Sequence, residues 1–291
     1  MTAGIFGKHF GPEFNEAISY LFKALHAHGV KTCVYEPFCA FMNASIAEAK
    51  NQPTFKNRSE VADMDWIISI GGDGTLLDSV TLVGDSNVPI LGFNTGRLGF
   101  LSNINTPLLD KAVDSLVNKT YETDKRALIE VVASDIDLGD VNFALNEVTI
   151  HKKETSSMIS IHAYMQEQFV NTYWADGLIV STPTGSTAYS LSCGGPIVMP
   201  GTDSWVLTPI APHNLNVRPL VIPNNAQIKL KAEGREPNFL LTLDSRSFTI
   251  SENTEVTLRN APFEVELINL EGQYFFNTIR NKLMWGIDRR N

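Results

Sequence analysis

The sequence predicts an α/β N-terminal domain followed by a β-rich domain and a closing helix. Three observations predict it. Over residues 1–120 apolar strands alternate with amphipathic helical stretches, the pattern of βαβ units and a largely parallel sheet. Over residues 121–270 the rhythm changes to short strands separated by turn residues, and residues 271–291 return to helical spacing. The length of 291 residues also fits two domains, at about 150 residues each.

Each element follows from its residues. Ile5 and Phe6 lie in a short apolar strand ending at Gly7. Phe14, Ala17, Ile18, Leu21, Phe22 and Leu25 recur at three- and four-residue spacing, so a helix is expected there, with Gly29 as its C′ glycine. Residues 30–35 read as a strand, 41–50 as a helix and the polar stretch 51–60 as a loop. Residues 66–70 form an apolar run broken only by Ser69, as in a strand buried on both faces. A helix over 76–83, a strand over 88–92 and a helix capped by Thr106, with Pro107 in its first position, complete the domain. Strands are then expected over 128–133, 141–150, 159–165, 178–180, 228–231, 239–243, 248–250, 255–258 and 263–267, with one helical interruption near 187–192. Phe275, Phe276, Ile279 and Leu283 put one apolar face on the closing helix.

Composition excludes several classes. Lys and Arg total 23 against 32 Asp and Glu, a net charge of −9, which argues against a nucleic-acid or anionic-membrane partner. Three scattered cysteines (Cys33, Cys39, Cys193) make no disulfide framework and suit a reducing cytoplasm. The start lacks the apolar core of a signal peptide, and no apolar run reaches transmembrane length. The six histidines show no zinc-site spacing.

Four segments can carry chemistry. Gly71-Gly72-Asp73-Gly74-Thr75 follows the apolar strand and precedes a helix. Glycines let backbone approach a ligand, and a helix N-terminus attracts phosphate. A carboxylate there repels phosphate, so Asp73 suits a proton acceptor or a partner of Mg²⁺; alone, the motif equally suits a turn with an N-capping Asp. Residues 176–196 run from a strand into a loop crowded with small hydroxyl residues, and 177–202 contain no charged residue, which leaves hydroxyls and amides to meet a polar ligand. Asn146-Glu147 interrupts an apolar strand, as a ligand contact or a bulge does. Residues 91–101 hold three glycines and Arg97, the one charged residue between 86 and 109, in a ligand-facing loop or a structural one.

Together these segments resemble the ATP-dependent NAD kinase family: GGDGT at 71–75, LGFNTGRLGF at 91–100, NE at 146–147, DGLIVSTPTGSTAYSLSCGGP at 176–196 and YFFNTIRNKLMWG at 274–286. GGDGT alone is shared with diacylglycerol, sphingosine and sugar-phosphate kinases; the 176–196 stretch is far more specific. The resemblance implies a Rossmann-like N-terminal domain, a β-rich NAD-binding domain and a terminal helix packing back on the first. It implies that ATP, with Mg²⁺ or another divalent cation, phosphorylates the 2′-hydroxyl of NAD's adenosine ribose to give NADP. Asp73 would accept the hydroxyl proton, orienting it and taking it late. Gly71, Gly72, Gly74 and Thr75 would form the phosphate loop. Asp73, Gly74, Asn146, Glu147, Asp176, Thr187, Ala188, Tyr189, Ser190, Leu191, Ser192 and Arg246 would meet NAD. A cytoplasmic homodimer or homotetramer is implied.

Three positions depart from the family pattern: Asp78 and Trp174 stand where basic residues are common, and Cys193, expected to be inert, replaces Ala. Two rivals remain at this point: another small-molecule or lipid kinase of the GGDGT superfamily, and a dinucleotide-binding regulator without catalysis. A serine hydrolase is poorly supported, because Ser186 and Ser190 lie in no GxSxG elbow.

Overall fold

A computed structural model describes residues 1–96, 99–153 and 157–285. The chain divides into two compact units, one of Met1–Lys125 with Val265–Asn291 and one of Arg126–Glu264. The sequence places boundaries near residues 120 and 270; the division instead falls within two long strands that run from one unit into the other along the chain.

The first unit alternates as its sequence pattern requires: β1 (Thr2–Gly7), α1 (Asn15–Ala27), β2 (Lys31–Tyr35), α2 (Glu36–Met42), β3 (Thr54–Phe55), β4 (Trp66–Ile70), α3 (Asp73–Val83), β5 (Ile90–Phe93) and α4 (Leu109–Asn118). The strands pair in parallel in the order β3-β2-β1-β4-β5. All five residues of β4 are buried, and each large apolar side chain so buried contributes about 1.5–3 kcal/mol. α1 buries Ala17, Ile18, Leu21, Phe22 and Leu25, the face read from the spacing.

Four expectations in this unit are corrected. The helix expected over 41–50 is α2, over 36–42, because Pro37 suits a first helical turn and Asn43 ends the helix; only a short 3₁₀ turn, Ala47–Ala49, follows. The expected loop 51–60 contains β3, paired to β2 through Val34–Thr54 and Tyr35–Phe55. The helix expected from residue 76 starts at Asp73, and the helix after Pro107 begins as a 3₁₀ turn, Thr106–Leu108, preceded by Asn105.

The second unit holds most of β6 (Glu122–Ala133), then β7 (Phe143–Ala144), β8 (Glu147–Lys152), β9 (Ile159–Met165), β10 (Gln168–Ala175), β11 (Gly177–Ser181), α5 (Tyr189–Ser192), β12 (Ser204–Ile210), β13 (Leu220–Pro223), β14 (Ile228–Glu233), β15 (Asn238–Leu243), β16 (Arg246–Ser251) and the start of β17 (Val256–Asn269). One antiparallel sheet runs β13-β12-β11-β8-β15-β16. Strands β10-β9-β14-β17 form the other side, and β6 pairs with β17 and β7. Val148, Ile150, Leu178, Leu207 and Leu241 from the first sheet share a core with Ile161, Ala163 and Leu230 from the second, so the unit is a sandwich. β17 then enters the first unit, where Leu267 pairs with Ile90 of β5, and α6 (Phe275–Leu283) closes the described chain.

Strands β10, β12 and β13 are additions to the sequence reading, and 255–258 and 263–267 form one strand. The strand expected over 141–150 breaks at 145–146 into β7 and β8. The helix expected over 187–192 is a 3₁₀ turn, Gly185–Thr187, followed by the four residues of α5. Among the described residues no helix is long and apolar enough to cross a membrane.

Candidate active site

In the first unit the glycine turn leaves β4 at its carboxyl end and enters α3, with Gly72 as N-cap. Asp73 is therefore the first helical residue, and it does not cap the helix. Its carboxylate accepts three consecutive amides: Phe100 N–H on Oδ2 at 2.7 Å, and Leu101 and Ser102 N–H on Oδ1 at 3.1 and 2.9 Å. A Cβ on Gly99 would lie 1.7 Å from Asp73 Oδ1, so only glycine lets this loop close on the carboxylate. Ser102 Oγ donates to the Gly71 carbonyl at 3.0 Å, and the buried Asn94 Nδ2 donates to the Ser102 carbonyl at 3.0 Å. A carboxylate offers about four acceptor positions. Three are filled by amides, which leaves one for a hydroxyl.

The phosphate-loop candidates are placed on one turn: Gly71 N–H donates to the Phe93 carbonyl at 2.9 Å and Thr75 N–H to the Gly72 carbonyl at 3.0 Å. Asp78, one turn further along α3, pairs with Lys8 at 2.6 Å, so a cation does stand beside this departure from the family pattern. Arg97 lies outside the described residues.

In the second unit, Leu145 and Asn146 fill the break between β7 and β8, and Glu147 opens β8. Their amides converge on the carboxylate of Asp244, at 2.8 Å to Oδ2 and 2.8 and 3.2 Å to Oδ1. Their carbonyls are also taken: Leu145 O by Thr182 Oγ1 at 2.6 Å, Asn146 O by Thr182 N–H at 2.9 Å, and Glu147 O by Asp244 N–H at 3.0 Å. A Cβ on Gly185 would lie 2.0 Å from the Asn146 carbonyl oxygen. Asp244 sits in the β15–β16 hairpin turn at φ 51°, a left-handed conformation that Asp tolerates better than most residues.

Arg246, which the sequence places against the dinucleotide, donates through its terminal nitrogens to the carbonyls of Val141 and Phe143, with its guanidinium over the Phe143 ring. Burial, and then the Asp244 charge, raise the Glu147 carboxyl to about 8, although the Tyr189 amide opposes the shift by donating to it. The buried Glu147 Oε2 has no hydrogen-bond partner. Burial pushes the Asp244 carboxyl up too, against three amide donors and Arg246. The member with three amides is the one whose charged form is best solvated, so Asp244 carries the charge and Glu147 the proton.

Asp176 pairs with Lys152 at 2.6 Å, and it lies close enough to Tyr189, as does Glu147, to act on the phenol electrostatically. Thus the structure brings Glu147, Asp176 and Tyr189 together, with Asn146 next in chain. Of the run after 186, Thr187 Oγ1 donates to the Thr184 carbonyl at 3.2 Å and the Ala188 amide to the Gly185 carbonyl at 2.9 Å. Ser190 is buried with its Oγ 2.8 Å from Thr208 Oγ1, Leu191 accepts from Gly194 N–H at 3.0 Å, and Tyr189 and Ser192 are exposed. Burial pushes the Cys193 thiol up, away from the reactive thiolate. Sequence reasoning missed Asp244 and Thr182 as organisers; Asp244-Ser245-Arg246 reads only as a hairpin turn, and its neighbours in space are almost a hundred residues away in the chain.

A cavity of about 550 Å³ also lies in this unit, lined by residues such as Asn171, Asn214 and Arg218, and it includes none of the residues singled out above. Among the described residues no group of three or more His, Cys, Asp or Glu side chains could hold a metal ion.

Sequence profiles of two domains match: the ATP-NAD kinase N-terminal domain over residues 20–121 and the ATP-NAD kinase C-terminal domain over residues 145–270. NAD kinases of Cytophaga hutchinsonii and Flavobacterium psychrophilum are 42% and 44% identical, in each case over the whole of both chains. The crystal structure of yeast NADH kinase complexed with NADH superposes with a TM-score of 0.87 at 24% identity, covering 99% of this chain and 89% of that one. An NAD kinase from Archaeoglobus fulgidus in complex with ATP does so with a TM-score of 0.75 at 25% identity, covering 98% of each chain. With both domains matched and full-length relatives above 40% identity, the chain belongs to the ATP-NAD kinase family.

Proposed function

We propose that Asp73 is the proton acceptor in this chain's transfer of the γ-phosphoryl group of ATP to the 2′-hydroxyl of NAD's adenosine ribose. Membership of the family makes the chain a phosphotransferase with an alcohol acceptor, and relatives named NAD kinase across their whole length favour NAD over a lipid or sugar acceptor. The observation that carries the reading is the Asp73 carboxylate, seated on three amides at the head of α3 with one acceptor position left. As the ribose oxygen bonds to the γ-phosphorus, the bond to the ADP oxygen breaks and the hydroxyl proton passes to Asp73. The amide cradle holds the Asp73 carboxylate in place, so it orients the hydroxyl early and receives the proton late.

Phosphoryl transfer depends on positioning and charge neutralisation more than on covalent chemistry. Gly71, Gly72, Gly74 and Thr75 shape the turn at the head of α3 that meets the phosphates, where glycine lets the backbone come close and the helix end favours an anion. Asn146, Glu147 and Asp176 hold the dinucleotide through adenine, ribose or amide groups, and Thr187–Ser192 adds hydroxyl and backbone contacts. Mg²⁺ would arrive with ATP, since it commonly takes one or two carboxylates plus substrate phosphates and keeps its waters. Bound there, Mg²⁺ supplies neutralisation of the charge on the transferring group. A cytoplasmic homodimer or homotetramer belongs to the same reading.

The test is to incubate the protein with ATP, Mg²⁺ and NAD and follow NADP with an NADP-specific dehydrogenase. NADP formation that depends on both ATP and Asp73 is expected. No NADP above a protein-free blank overturns the reading.

A further inference from the structure

We infer that Asp244 is a positioning residue of the dinucleotide site: its carboxylate fixes the backbone that carries Asn146 and Glu147, and its charge makes Glu147 meet the dinucleotide as a hydrogen-bond donor. This rests on the reading that Asn146 and Glu147 hold NAD. The geometry is complete on both sides of the segment. All three amides of Leu145, Asn146 and Glu147 go to one carboxylate, and all three carbonyls go to Thr182 or back to the Asp244 amide. Arg246, two residues on, grips the carbonyls of Val141 and Phe143, so one hairpin turn holds the strand before the break as well as the break itself. A segment whose six backbone groups are all bound cannot rotate its side chains by rotating its peptides. That is what a binding pair needs to be held to a fraction of an ångström.

The same carboxylate sets the chemistry of Glu147. Two carboxyls close enough to act on each other electrostatically resist ionising together, and the one with more donors keeps the charge. Glu147 therefore keeps its proton to about pH 8, and its unpartnered buried Oε2 is free to serve a ligand. A protonated carboxyl both donates and accepts. A ribose hydroxyl or an adenine ring nitrogen can use either, whereas an ionised Glu147 could only accept. The other charged or titratable groups facing Glu147 are Tyr189 and Cys193 beside α5; Asp176, held by Lys152, faces Tyr189, and Arg246 faces Asp244.

The experiment is steady-state kinetics of the full chain with NAD varied at saturating ATP, from about pH 6 to 9, for wild type, Asn146→Ala, Glu147→Gln and Asp244→Asn, each checked by thermal melting. Wild-type KM for NAD should be flat at low pH and rise as pH passes about 8. Asp244→Asn should raise KM for NAD about tenfold or more, since it loses charged acceptors for three amides, with kcat changed less than about threefold. It should also move the break in the KM profile to lower pH, because the charge that holds the Glu147 proton is gone. Glu147→Gln, which donates at every pH and cannot ionise, should abolish the break. A merely structural Asp244 would lower the melting temperature without moving the break.

The inference is overturned if Asp244→Asn folds and leaves both KM and the break in place. If that variant does not fold, a wild-type profile flat through pH 8 overturns it, as does a Glu147→Gln enzyme that keeps the break. Failure of the underlying reading looks different: Asn146→Ala then leaves KM for NAD unchanged.

Discussion

In the first unit, the carboxylate of Asp73 takes the amides of Phe100, Leu101 and Ser102; in the second, that of Asp244 takes the amides of Leu145, Asn146 and Glu147. The local device is the same: three successive N–H groups on one carboxylate, with a glycine allowing close approach nearby, Gly99 in one case and Gly185 in the other. The surroundings differ. Asp73 is half-buried at the start of an eleven-residue helix, whose partial positive end favours anions. Asp244 is in a left-handed hairpin position, with burial acting on its carboxyl and a second carboxyl beside it. Its own amide returns a bond to Glu147, closing the loop. On the proposed function, the amides of the first unit serve the carboxylate, holding it for the reaction. On the same reading, in the second unit the carboxylate serves the amides, fixing the backbone that carries Asn146 and Glu147.

The largest effect that could break this comparison comes from Asp73→Asn. Loss of the proton acceptor should cut kcat by about 10²–10⁴-fold while the protein folds and binds NAD. Calorimetric NAD binding beside the NADP assay checks both, and a near wild-type rate refutes the acceptor role.

The two glycines give the next test. Gly99→Ala places a methyl 1.7 Å from Asp73 Oδ1, and Gly185→Ala places one 2.0 Å from the Asn146 carbonyl oxygen. Each should cost about 1–3 kcal/mol of stability by overpacking. Beyond that they should separate, Gly99→Ala lowering kcat and Gly185→Ala raising KM for NAD. If both move the same kinetic constant, the two cradles do not have distinct jobs.

A smaller effect concerns stability against pH. Folding raises the Glu147 carboxyl from 4.5 to about 8, so the folded state holds a proton that the unfolded state releases between those values. The stability tied to that proton is present below about 4.5 and is lost as pH rises to about 8. The melting temperature should fall across that window, less steeply in Glu147→Gln. Equal slopes would place the proton elsewhere. The smallest effect expected is on the fold of Gly74→Ala: a Cβ there meets nothing within 4 Å, and alanine suits a helix better by up to about 1 kcal/mol.

Much of the first unit was legible because its signals are local. The apolar run Trp66–Ile70, with Ser69 its one polar residue, is a buried central strand, and the glycine turn after it leads into a helix at once. The second unit was legible only in outline. β12 (Ser204–Ile210) is fully buried but carries Pro209, which counts against a central strand; β10 is irregular between Phe169 and Asn171. In the candidate site, Asp73, Asn146 and Glu147 stand out in sequence because they interrupt apolar or glycine-rich stretches. Asp244 does not, because Asp is ordinary in a tight turn and its three partners lie 97–99 residues away. Arg246 was visible as a charge near the site, but its hold on the Val141 and Phe143 carbonyls follows from hairpin pairing that no local pattern encodes.

The most direct measurement is a side-by-side kinetic comparison of Asp73→Asn and Asp244→Asn, each with NAD varied at saturating ATP and Mg²⁺. Asp73→Asn should lose kcat with KM for NAD little changed, and Asp244→Asn should lose NAD affinity with kcat little changed. Matching losses in the same constant, or an Asp73→Asn enzyme that turns over like wild type, would contradict the division between a carboxylate that reacts and one that positions.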